Sequence, residues 1–469
     1  MAKQDSTPDP AVARSLRLSI KDGVCYSVMA GGSESYFSLF ALALKATPAQ
    51  IGALAAYPQL FGALAQFASV RLLRWRAHRR RLIVVSVLLQ AVTLLPLIPL
   101  ALLVPAGTGV PLLLLCVVAY YGCGQIANPP WNSLMGDLVP PDGRGQYFGY
   151  RNRLISIVTF AALVGAGLIL NLAEGSGRPW AGFAMIFAVG CVARVASAYY
   201  LARMHDPAAT SGAVLPPFQV LEFIRRARRS NFTRFILFTG AMHLAVQIAG
   251  PFIAPYMRRD LGFSYLQFTL SMAAVVLVQF LTLNSWGAFS DRFGNKKVLV
   301  LTGAMLPVIP FLWLLAGSFG AVLGVQVFGG FVWAGFALSM GNYLFDTVSP
   351  PRRAICVALY NTANGIGTFI GASLGGWLAT EAGAGAVAAW MPFGIGADLR
   401  ALFLVSGLLR LVVALTLLRS FREERRVETL RMRDWAIPAM IRPFSGIRFD
   451  LFTGLTGRRR GRRDRRRFP

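Results

Sequence analysis

Charged residues are scarce in this chain. Asp, Glu, Lys and Arg make up 14% of its 469 residues, whereas soluble globular proteins average about 25%. Hydrophobic residues make up 55%, and the mean hydropathy is +0.55. This composition excludes an intrinsically disordered chain and argues against a set of soluble domains. It indicates a protein that crosses a membrane several times.

Residues that bind metals or act as nucleophiles are also few. The five cysteines show no CxxC pair and no zinc spacing, and they lie in or beside apolar runs, so we expect free thiols. The three histidines form no HExxH sequence, and we expect no metal site. The chain has no P-loop, no GxSxG sequence and no GxGxxG sequence after a strand. We therefore expect no cofactor, no ATP-driven step and no enzymatic activity.

Long apolar runs are the main feature that is present. A membrane-spanning helix needs about 20 mostly apolar residues, and the sequence contains twelve runs of this kind. Because the runs do not alternate as barrel strands do, they predict helices. The runs cover residues 20–44, 49–72, 82–104, 110–136, 152–173, 179–203, 233–257, 263–288, 297–316, 319–345, 354–380 and 399–420.

Basic residues are distributed unevenly around these runs. The chain has 47 Lys and Arg against 20 Asp and Glu, and its net charge is +27. With both termini placed inside, few cations lie in the outer loops or within the runs, and the inner segments hold all the others. The positive-inside rule therefore predicts a cell (inner or plasma) membrane protein with both termini in the cytoplasm. The outer cations are Lys45, Arg178, Arg258, Arg259 and Arg400, and those within runs are Arg194 and Arg410.

The first six runs and the last six runs resemble each other. The fourth run leads into NSLMGDLVPPDGRGQYFGYRN at 132–152, and the tenth leads into NYLFDTVSPPRRAICVALYN at 342–361. Each copy has an Asn, an Asp, a Pro-Pro pair and an Arg in that order. Arg194 recurs 216 residues later as Arg410. Corresponding runs cross in the same direction, so the repeat is a parallel one about an axis along the membrane normal.

This repeat predicts an all-α fold of two pseudo-symmetric six-helix bundles that face each other across a central cavity. Because Arg residues dominate the end of the chain, we expect that segment to lie against anionic lipids, at about 1 kcal/mol per cation. No folded module accompanies it, and we expect no nucleic acid partner. The predicted parts are a cytoplasmic N-terminus at 1–19, an N-terminal bundle at 20–203, a central cytoplasmic loop at 204–232, a C-terminal bundle at 233–420 and a basic cytoplasmic tail at 421–469.

The loop after the eighth run carries a signature. Residues 287–297 read Gly-x-x-x-Asp-Arg-x-Gly-x-Lys-Lys, from Gly287 through Asp291, Arg292 and Gly294. Together with the twelve runs, the two halves and the DLVPPDGRG segment, this loop resembles the major facilitator superfamily over most of the chain. The resemblance implies a membrane transporter with twelve spans in two bundles. It also implies a cytoplasmic gate at this loop.

By this resemblance, Asp291 and Arg292 control the inward-facing gate. Arg144 and Arg151, at the start of the fifth helix, are possible partners of Asp291 across the two halves. Gly294 allows the chain to reverse within a few residues. The alternative is that the loop is only a soluble, positively charged turn; the equivalent first-half loop lacks the Asp, so we expect the second copy to dominate. The remaining gate candidates are Gly287, Asp137 and Asp346.

Glu34 is an ionisable residue near the middle of the first run, beside Gly31 and Gly32. An ionised side chain within a membrane costs about 2.5–3.5 kcal/mol on insertion scales, so such residues are candidates for function. Glu34 can take up and release a proton as access alternates, or it can bind a cationic group of the solute. The alternative is a permanent pair with an Arg or a hydroxyl that fixes the first helix.

Other polar residues within the runs have two interpretations each. Arg194 and Arg410 occupy equivalent positions, which favours a role in bundle architecture over substrate binding. His243 can relay protons, or it is a hydrogen-bonded packing residue. A set of amides in both halves either lines a polar cavity or bridges helices. These amides are Gln125, Asn128, Gln247, Gln279 and Gln326.

Proline and glycine predict irregular helices. We expect Pro251 and Pro255 to interrupt the seventh helix, and Asn128-Pro129-Pro130 to interrupt the end of the fourth. Such breaks mark a binding or hinge region, or they are ordinary kinks. A glycine stripe predicts close packing along one face of the eleventh helix. The stripe consists of Gly367, Gly371 and Gly375.

These observations predict a secondary transporter of a small solute that works by alternating access and is coupled to protons through Glu34. The alternative is a membrane protein of the same fold that does not transport and acts as an assembly or lipid-handling factor. A functionally insensitive Glu34 and a cavity without solute would mark that alternative. The residues do not specify the solute or the direction of transport.

Overall fold

The computed structural model describes residues 10–75, 79–103, 108–139, 144–207, 230–348, 353–380 and 399–424. Within these ranges the chain forms helices and turns and contains no strand. All twelve predicted runs are helical there, which confirms the all-α fold class. By length and composition, nine helices of these ranges can cross a membrane.

Helices α1 to α6 form the first half of the molecule. The first is broken and consists of Pro10–Gly32, a 3₁₀ turn at Glu34–Tyr36 and Phe37–Ala43; the third consists of Arg79–Val92 and Leu97–Leu103. The unbroken helices α2, α4, α5 and α6 are Pro48–Trp75, Val110–Leu138, Arg144–Gly175 and Pro179–Ala202.

Helices α7 to α12 form the second half. The seventh is Asn231–Gln247, followed by short helical turns at Gly250–Phe252, Ile253–Pro255 and Tyr256–Asp260, and α9 is Asn295–Met305 with Val308–Leu315. The unbroken helices α8, α10, α11 and α12 are Tyr265–Phe293, Phe319–Thr347, Arg353–Leu378 and Arg400–Leu417. The predicted tail beyond residue 424 and most of the predicted central loop lie outside the described residues.

The helices pack in the same way in the two halves. In the first half α1 packs against α5 and α6, α2 against α4, and α3 against α4 and α6. In the second half α7 packs against α11 and α12, α8 against α10, and α9 against α10 and α12. The halves meet where α2 packs on α11 and where α5 packs on α8. We call the end of the bundles that carries residues 10 and 424 the terminal face, and the opposite end the far face.

The first helix of each half breaks at an equivalent position. The 3₁₀ turns Glu34–Tyr36 of α1 and Gly250–Phe252 of α7 are 216 residues apart, the separation that also relates Arg194 to Arg410. The predicted interruption of α7 at Pro251 is confirmed, because proline has no N–H to donate. No proline lies near the break in α1, and the sequence does not predict it.

The predicted interruption of α4 is wrong, because this helix runs unbroken through Pro129 and Pro130. A proline at position 130 leaves the carbonyl of Ile126 without its usual helical donor. The hydroxyl of Ser69 on α2 donates to that carbonyl at 2.6 Å. The side chain replaces the missing partner, so the helix continues inside the bundle.

A polar junction at the terminal face ties three helices together in each half. Arg79 at the start of α3 pairs with Asp137 at the end of α4 at 2.6 Å, and with Asp206 after α6 at 2.7 Å. At the start of α9, Asn295 donates to Asp346 on α10 at 2.7 Å, and the next backbone N–H donates to a carboxylate after α12 at 2.8 Å. Equivalent helices are thus joined by different side chains in the two halves.

The two halves contact each other closely towards the far face. The hydroxyls of Tyr36 on α1 and Thr269 on α8 are 2.9 Å apart. Arg258 after α7 pairs with Glu174 on α5 at 3.0 Å. At Gly52 on α2, a β-carbon would lie 2.6 Å from a backbone oxygen of α11. The far face is therefore closed in this structure.

The glycine stripe of α11 packs directly on the backbone of α7. A β-carbon at any of its three positions would lie 2.2 Å from a carbonyl oxygen of α7. Real β-carbons do not approach backbone oxygens this closely, so a larger residue must push the two helices apart. The close packing predicted from the glycine spacing is confirmed.

We predict that Gly371→Ala destabilises the protein by about 1–3 kcal/mol, because its β-carbon overlaps the carbonyl oxygen of Leu244. Gly324→Ala on α10 is the matched control, since a β-carbon there has no neighbour within 4 Å. The control should be neutral or stabilising by about 0.5–1 kcal/mol. Thermal unfolding of both purified variants in detergent measures the difference, and equal melting temperatures would contradict the prediction.

Candidate functional site

Among the described residues, two cavities within the bundles are formed by side chains of several helices. The first-half cavity has a volume of about 430 Å³ and is lined by side chains of α1, α3, α4, α5 and α6. The interface cavity has a volume of about 410 Å³ and is lined by side chains of α2, α4, α7 and α11, so it lies between the halves. Gln125 and Asn128 on α4 line both cavities, which are therefore neighbouring spaces.

Glu34 begins the 3₁₀ turn of α1 and lines the first-half cavity. Tyr120 and Tyr121 on α4 donate hydrogen bonds to its Oε2 and Oε1, each at 2.8 Å. Ser33, just before the turn, donates to the carbonyl of Ile186 on α6 at 2.8 Å and holds the turn against that helix. Within the described chain Glu34 forms no ion pair, and its two side-chain partners are neutral hydroxyls.

Asp22, near the middle of the segment Pro10–Gly32 of α1, belongs to a network of buried charges. Its carboxylate accepts a hydrogen bond from Ser197 on α6 at 2.6 Å and lies 3.5 Å from the guanidinium of Arg151 on α5. Ser197 in turn accepts from Arg194 at 3.0 Å, and Arg194 donates twice to Gln90 on α3, at 2.9 and 2.6 Å. Four helices are joined by this network, and each of its charges has a polar partner inside the bundle.

The second half has no acidic counterpart to these two carboxylates. The residues 216 positions after Asp22 and Glu34 are Phe238 and Gly250. The buried arginine does recur: Arg410 donates to a hydroxyl on its own helix at 3.1 Å and to backbone carbonyls of α9 and α7 at 3.2 and 3.4 Å. These contacts support the architectural interpretation of Arg410. The side chains of the helix core that can change charge are concentrated in the first half.

Amide side chains dominate the interface cavity. His243 on α7 places Nδ1 2.8 Å from the carbonyl oxygen of Thr239, so in a neutral ring Nδ1 donates and Nε2 keeps a lone pair. Asn364 on α11 has a buried Oδ1 with no hydrogen-bond donor among the described residues. Such a lining can bind polar groups of a solute without adding a charge. The amides are Gln59, Gln66, Gln125, Asn128, Asn361 and Asn364.

The structure brings several of the predicted site residues to these cavities. Glu34, Arg194 and Gln125 line the first-half cavity, and His243 lines the interface cavity. For Gln125 and Asn128 the position favours the cavity interpretation. The predicted amides that line neither cavity are Gln247, Gln279 and Gln326.

Sequence reasoning misses four residues of the first-half cavity. Asp22 carries a usable signal, because an acidic residue within a predicted span is itself a candidate for function. Tyr120 and Tyr121 carry none, because aromatic residues occur in the spans of any membrane protein. Gln90 becomes visible only through its contact with Arg194.

The loop between α8 and α9 has the tight turn that its sequence predicts. Gly294 is the single residue between the two helices, with φ +93°, a conformation that favours glycine. Asp291, one turn after Gly287 on α8, is exposed and forms no ion pair in the described ranges. The guanidinium of Arg292 lies 4.8 Å from the ring centre of Phe293.

The other predicted gate residues contact their own halves. Asp137 and Asp346 belong to the polar junctions at the terminal face. Arg151 contacts Asp22 and lies over the ring of Trp131 at 4.6 Å. Arg144 is the first residue of α5, and its side chain lies outside the described ones.

Comparison with protein families identifies the chain. A family model described as the Major Facilitator Superfamily matches residues 23–245 and 235–448, one match for each half. The chain belongs to the major facilitator superfamily. It is a multi-pass membrane protein of a transporter family, and the resemblance seen in its sequence is confirmed.

The curated relatives of this protein match it over only part of its length. The probable peptide/nitrate transporter At3g43790 of Arabidopsis thaliana is 29% identical over 126 residues, which are 26% of this chain and 25% of that protein. Major facilitator superfamily domain-containing protein 10 of Mus musculus is 30% identical over 115 residues, which are 23% of this chain and 24% of that protein. The matches thus span about a quarter of the curated relatives.

Solved structures of transporters share the fold over nearly the whole chain. A D-xylose–proton symporter has a TM-score of 0.67 and 14% identity, over 89% of this chain and 99% of its own. The nucleoside transporter NupG has a TM-score of 0.64 and 15% identity, over 88% and 99%. An inward-facing bacterial homologue of the human lysosomal transporter Spinster has a TM-score of 0.63 and 17% identity, over 90% and 100%. Identities this low support the fold and do not transfer a substrate.

The different partners of the two acidic residues in α1 predict different effects on stability. Asp22→Asn should destabilise the protein by about 3 kcal/mol, because it removes the negative charge beside the buried guanidinium of Arg151. Glu34→Gln should cost about 1 kcal/mol or less, because the amide still pairs with the tyrosine hydroxyls. Thermal unfolding in detergent tests the order, and a lower melting temperature for the Glu34 variant would contradict it.

Proposed function

We propose that the protein is a secondary transporter that moves a small solute across the membrane by alternating access, with protons as the coupling ion. Membership of the superfamily and the likeness to solved transporters support the transport activity. The neighbouring cavities support a path for a polar solute through the bundle centre. The non-transporting alternative gains no support from the relatives.

The observation that carries the proton coupling is the environment of Glu34. Its carboxylate accepts two hydrogen bonds from neutral hydroxyls and faces a cavity that Arg194 also lines, and it forms no ion pair among the described residues. A proton on one oxygen adds a hydrogen-bond donor there, and the neighbouring tyrosine hydroxyl can accept from it by rotating its O–H bond. Because both tyrosines lie on α4, protonation changes the contact between α1 and α4. Proton binding is thereby linked to the arrangement of the first half.

A cationic group of a solute can occupy the same position as the proton. Glu34 offers it a carboxylate, and the rings of Tyr26, Tyr120 and Tyr121 also line the cavity. Asp22 does not offer the same site, because Ser197 and Arg151 already occupy its oxygens. In this proposal Glu34 is the exchangeable carboxylate and Asp22 the fixed one.

The interface cavity supplies the remaining contacts of the proposed path. Its amides bind polar groups of the solute, and the Nε2 lone pair of His243 offers an acceptor for a proton or a solute hydroxyl. Gln125 and Asn128 contribute to both cavities, so a solute that leaves one can bind the other without losing these amides.

We also propose that the terminal face is cytoplasmic and that the loop after α8 closes it. In this structure the far face is closed, and Asp291 is exposed and forms no ion pair among the described residues. This is expected of a gate residue that pairs only when the terminal face closes. Arg144 at the first residue of α5 is the preferred partner, because Arg151 already contacts Asp22. The two six-helix bundles then move as the predicted units 20–203 and 233–420.

Proton movement in liposomes tests the role of Glu34. The purified protein is reconstituted with an internal pH dye, and sugars, amino acids, organic acids and cationic drugs are added in turn. We expect a solute-dependent pH change in the wild type, and a loss of about tenfold or more in Glu34→Gln, because an amide cannot exchange a proton at neutral pH. Glu424→Gln is the matched control, because it removes an exposed carboxylate that lies outside both cavities and contacts Asn231 within its own half.

Two outcomes of this experiment would contradict proton coupling through Glu34. A pH change that persists in Glu34→Gln would refute coupling through this residue. A solute that moves without any pH change would establish transport and exclude proton coupling. Tracer counterflow in the same liposomes provides that second measurement.

The proposed gate predicts a contrast between two terminal-face carboxylates. Asp291→Asn should slow solute uptake at least about threefold with little change in melting temperature, because the exposed Asp291 has no ion pair to lose. Asp137→Asn should lower the melting temperature, because it removes a 2.6 Å pair with the buried Arg79. Uptake and thermal unfolding measured on both variants check the contrast, and full uptake by Asp291→Asn would count against the gate.

A further inference from the structure

A third cavity lies at the far face, between the two halves. It has a volume of about 420 Å³ and is lined by the end of α1 and the following turn on one side, and by the end of α7 and the start of α8 on the other. Although the outer loops hold few cations, three of them line this one space. They are Lys45 from the first half and Arg258 and Arg259 from the second.

Lys45 occupies a position where glycine is normally preferred. Its φ is +59°, the only positive value at a non-glycine position in the described ranges. The N–H groups of Lys45 and Ala46 donate to the carbonyls of Leu42 and Ala41, both at 3.0 Å, which is the Schellman pattern at the end of a helix. A β-carbon makes this conformation unfavourable. Lysine therefore lowers stability here, and its exposed side chain forms no ion pair among the described residues.

The two arginines on the opposite side differ in how they are held. Arg258 is fixed by Glu174 at 3.0 Å, by the carbonyl of Phe263 at 2.5 Å and by the ring of Tyr265 at 4.0 Å. Arg259 contacts Asp260 through Nε at 3.2 Å, and its side chain is 62% exposed. Its two Nη groups have no acceptor among the described residues.

We propose that this cavity binds a phosphate group, held between the ammonium of Lys45 and the guanidinium of Arg259. The planar guanidinium fork and the ammonium match the oxygens of a phosphate. Glu174 balances the charge of Arg258 and Asp260 balances that of Arg259, so the charge of Lys45 leaves the cavity with a net positive charge. A bound phosphate contacts both halves and stabilises the closed far face, and without it the facing cations repel each other.

Two sources can supply this chemistry. A soluble phosphate or phosphate ester reaches the exposed cavity from the aqueous side, and the head group of an anionic phospholipid reaches it from the membrane surface. The protein groups that bind the phosphate are the same in both cases. The experiment below therefore tests the site first and its source second.

The site is tested by thermal unfolding of the full chain in detergent, with inorganic phosphate titrated against chloride at matched ionic strength. We expect the melting temperature to rise with phosphate and not with chloride. The apparent dissociation constant should rise at least about threefold in Arg259→Gln and in Lys45→Gly. Arg178→Gln, which removes a far-face cation that does not line the cavity, should respond as the wild type does.

The variant Lys45→Gly separates the site from folding. Without phosphate its melting temperature should exceed that of the wild type, because glycine relieves the positive φ. A more stable variant that has lost the phosphate response cannot be explained by misfolding. A wild-type response in Lys45→Gly or in Arg259→Gln would overturn the proposal, as would an equal effect of chloride and phosphate.

Mixed micelles identify the source of the phosphate. If phosphatidylglycerol raises the melting temperature and removes the further effect of inorganic phosphate, and Lys45→Gly abolishes both effects, the occupant is a lipid head group. If phosphatidylglycerol acts no differently from phosphatidylcholine while inorganic phosphate retains its effect, the occupant is soluble. Each result supports the site, and a phosphatidylglycerol effect that survives in Lys45→Gly and Arg259→Gln counts against it.

Discussion

Backbone N–H and C=O groups inside a bilayer have no water to bind, so the protein itself must supply a partner for each. This constraint explains where the helices of this molecule break and where they do not. The helix α4 passes two prolines unbroken because Ser69 on α2 donates to the carbonyl left by Pro130. The helices α1 and α7 break at equivalent points that face the bundle interior. At the break in α1, the 3₁₀ turn directs the side chain of Glu34 towards the tyrosine hydroxyls of α4.

The two halves use one scaffold for different purposes. Equivalent helices pack in the same order, break at the same position and are tied by polar junctions at the same ends. The acidic residues of α1, however, are replaced in α7 by Phe238 and Gly250. Duplication thus preserves the backbone, whereas the two buried carboxylates of α1 occur in one copy only. The second half contributes amides, a histidine and a close backbone contact to the interface.

The sequence predicts the elements of this fold well, because span length, charge asymmetry and glycine spacing act locally along the chain. It predicts the site less well, because partners depend on contacts between distant helices. Glu34 is found from its cost within a membrane, but its tyrosine partners come from a helix about 86 residues away. The error at α4 has the same origin, since the donor that rescues the helix lies on α2. Gly294 is predicted correctly because its turn involves only its immediate neighbours.

The eleventh helix presents bare backbone on two sides. Its glycine stripe lies against carbonyl groups of α7, and its other side meets the backbone of α2 at Gly52 and Gly376. Most helix pairs interlock through side chains that must leave one set of grooves before they enter another. A contact between smooth surfaces has no such ridges to cross. Under the proposed alternating access, sliding of α11 on α2 therefore needs little rearrangement of rotamers, which lowers the barrier for exchanging one closed face for the other.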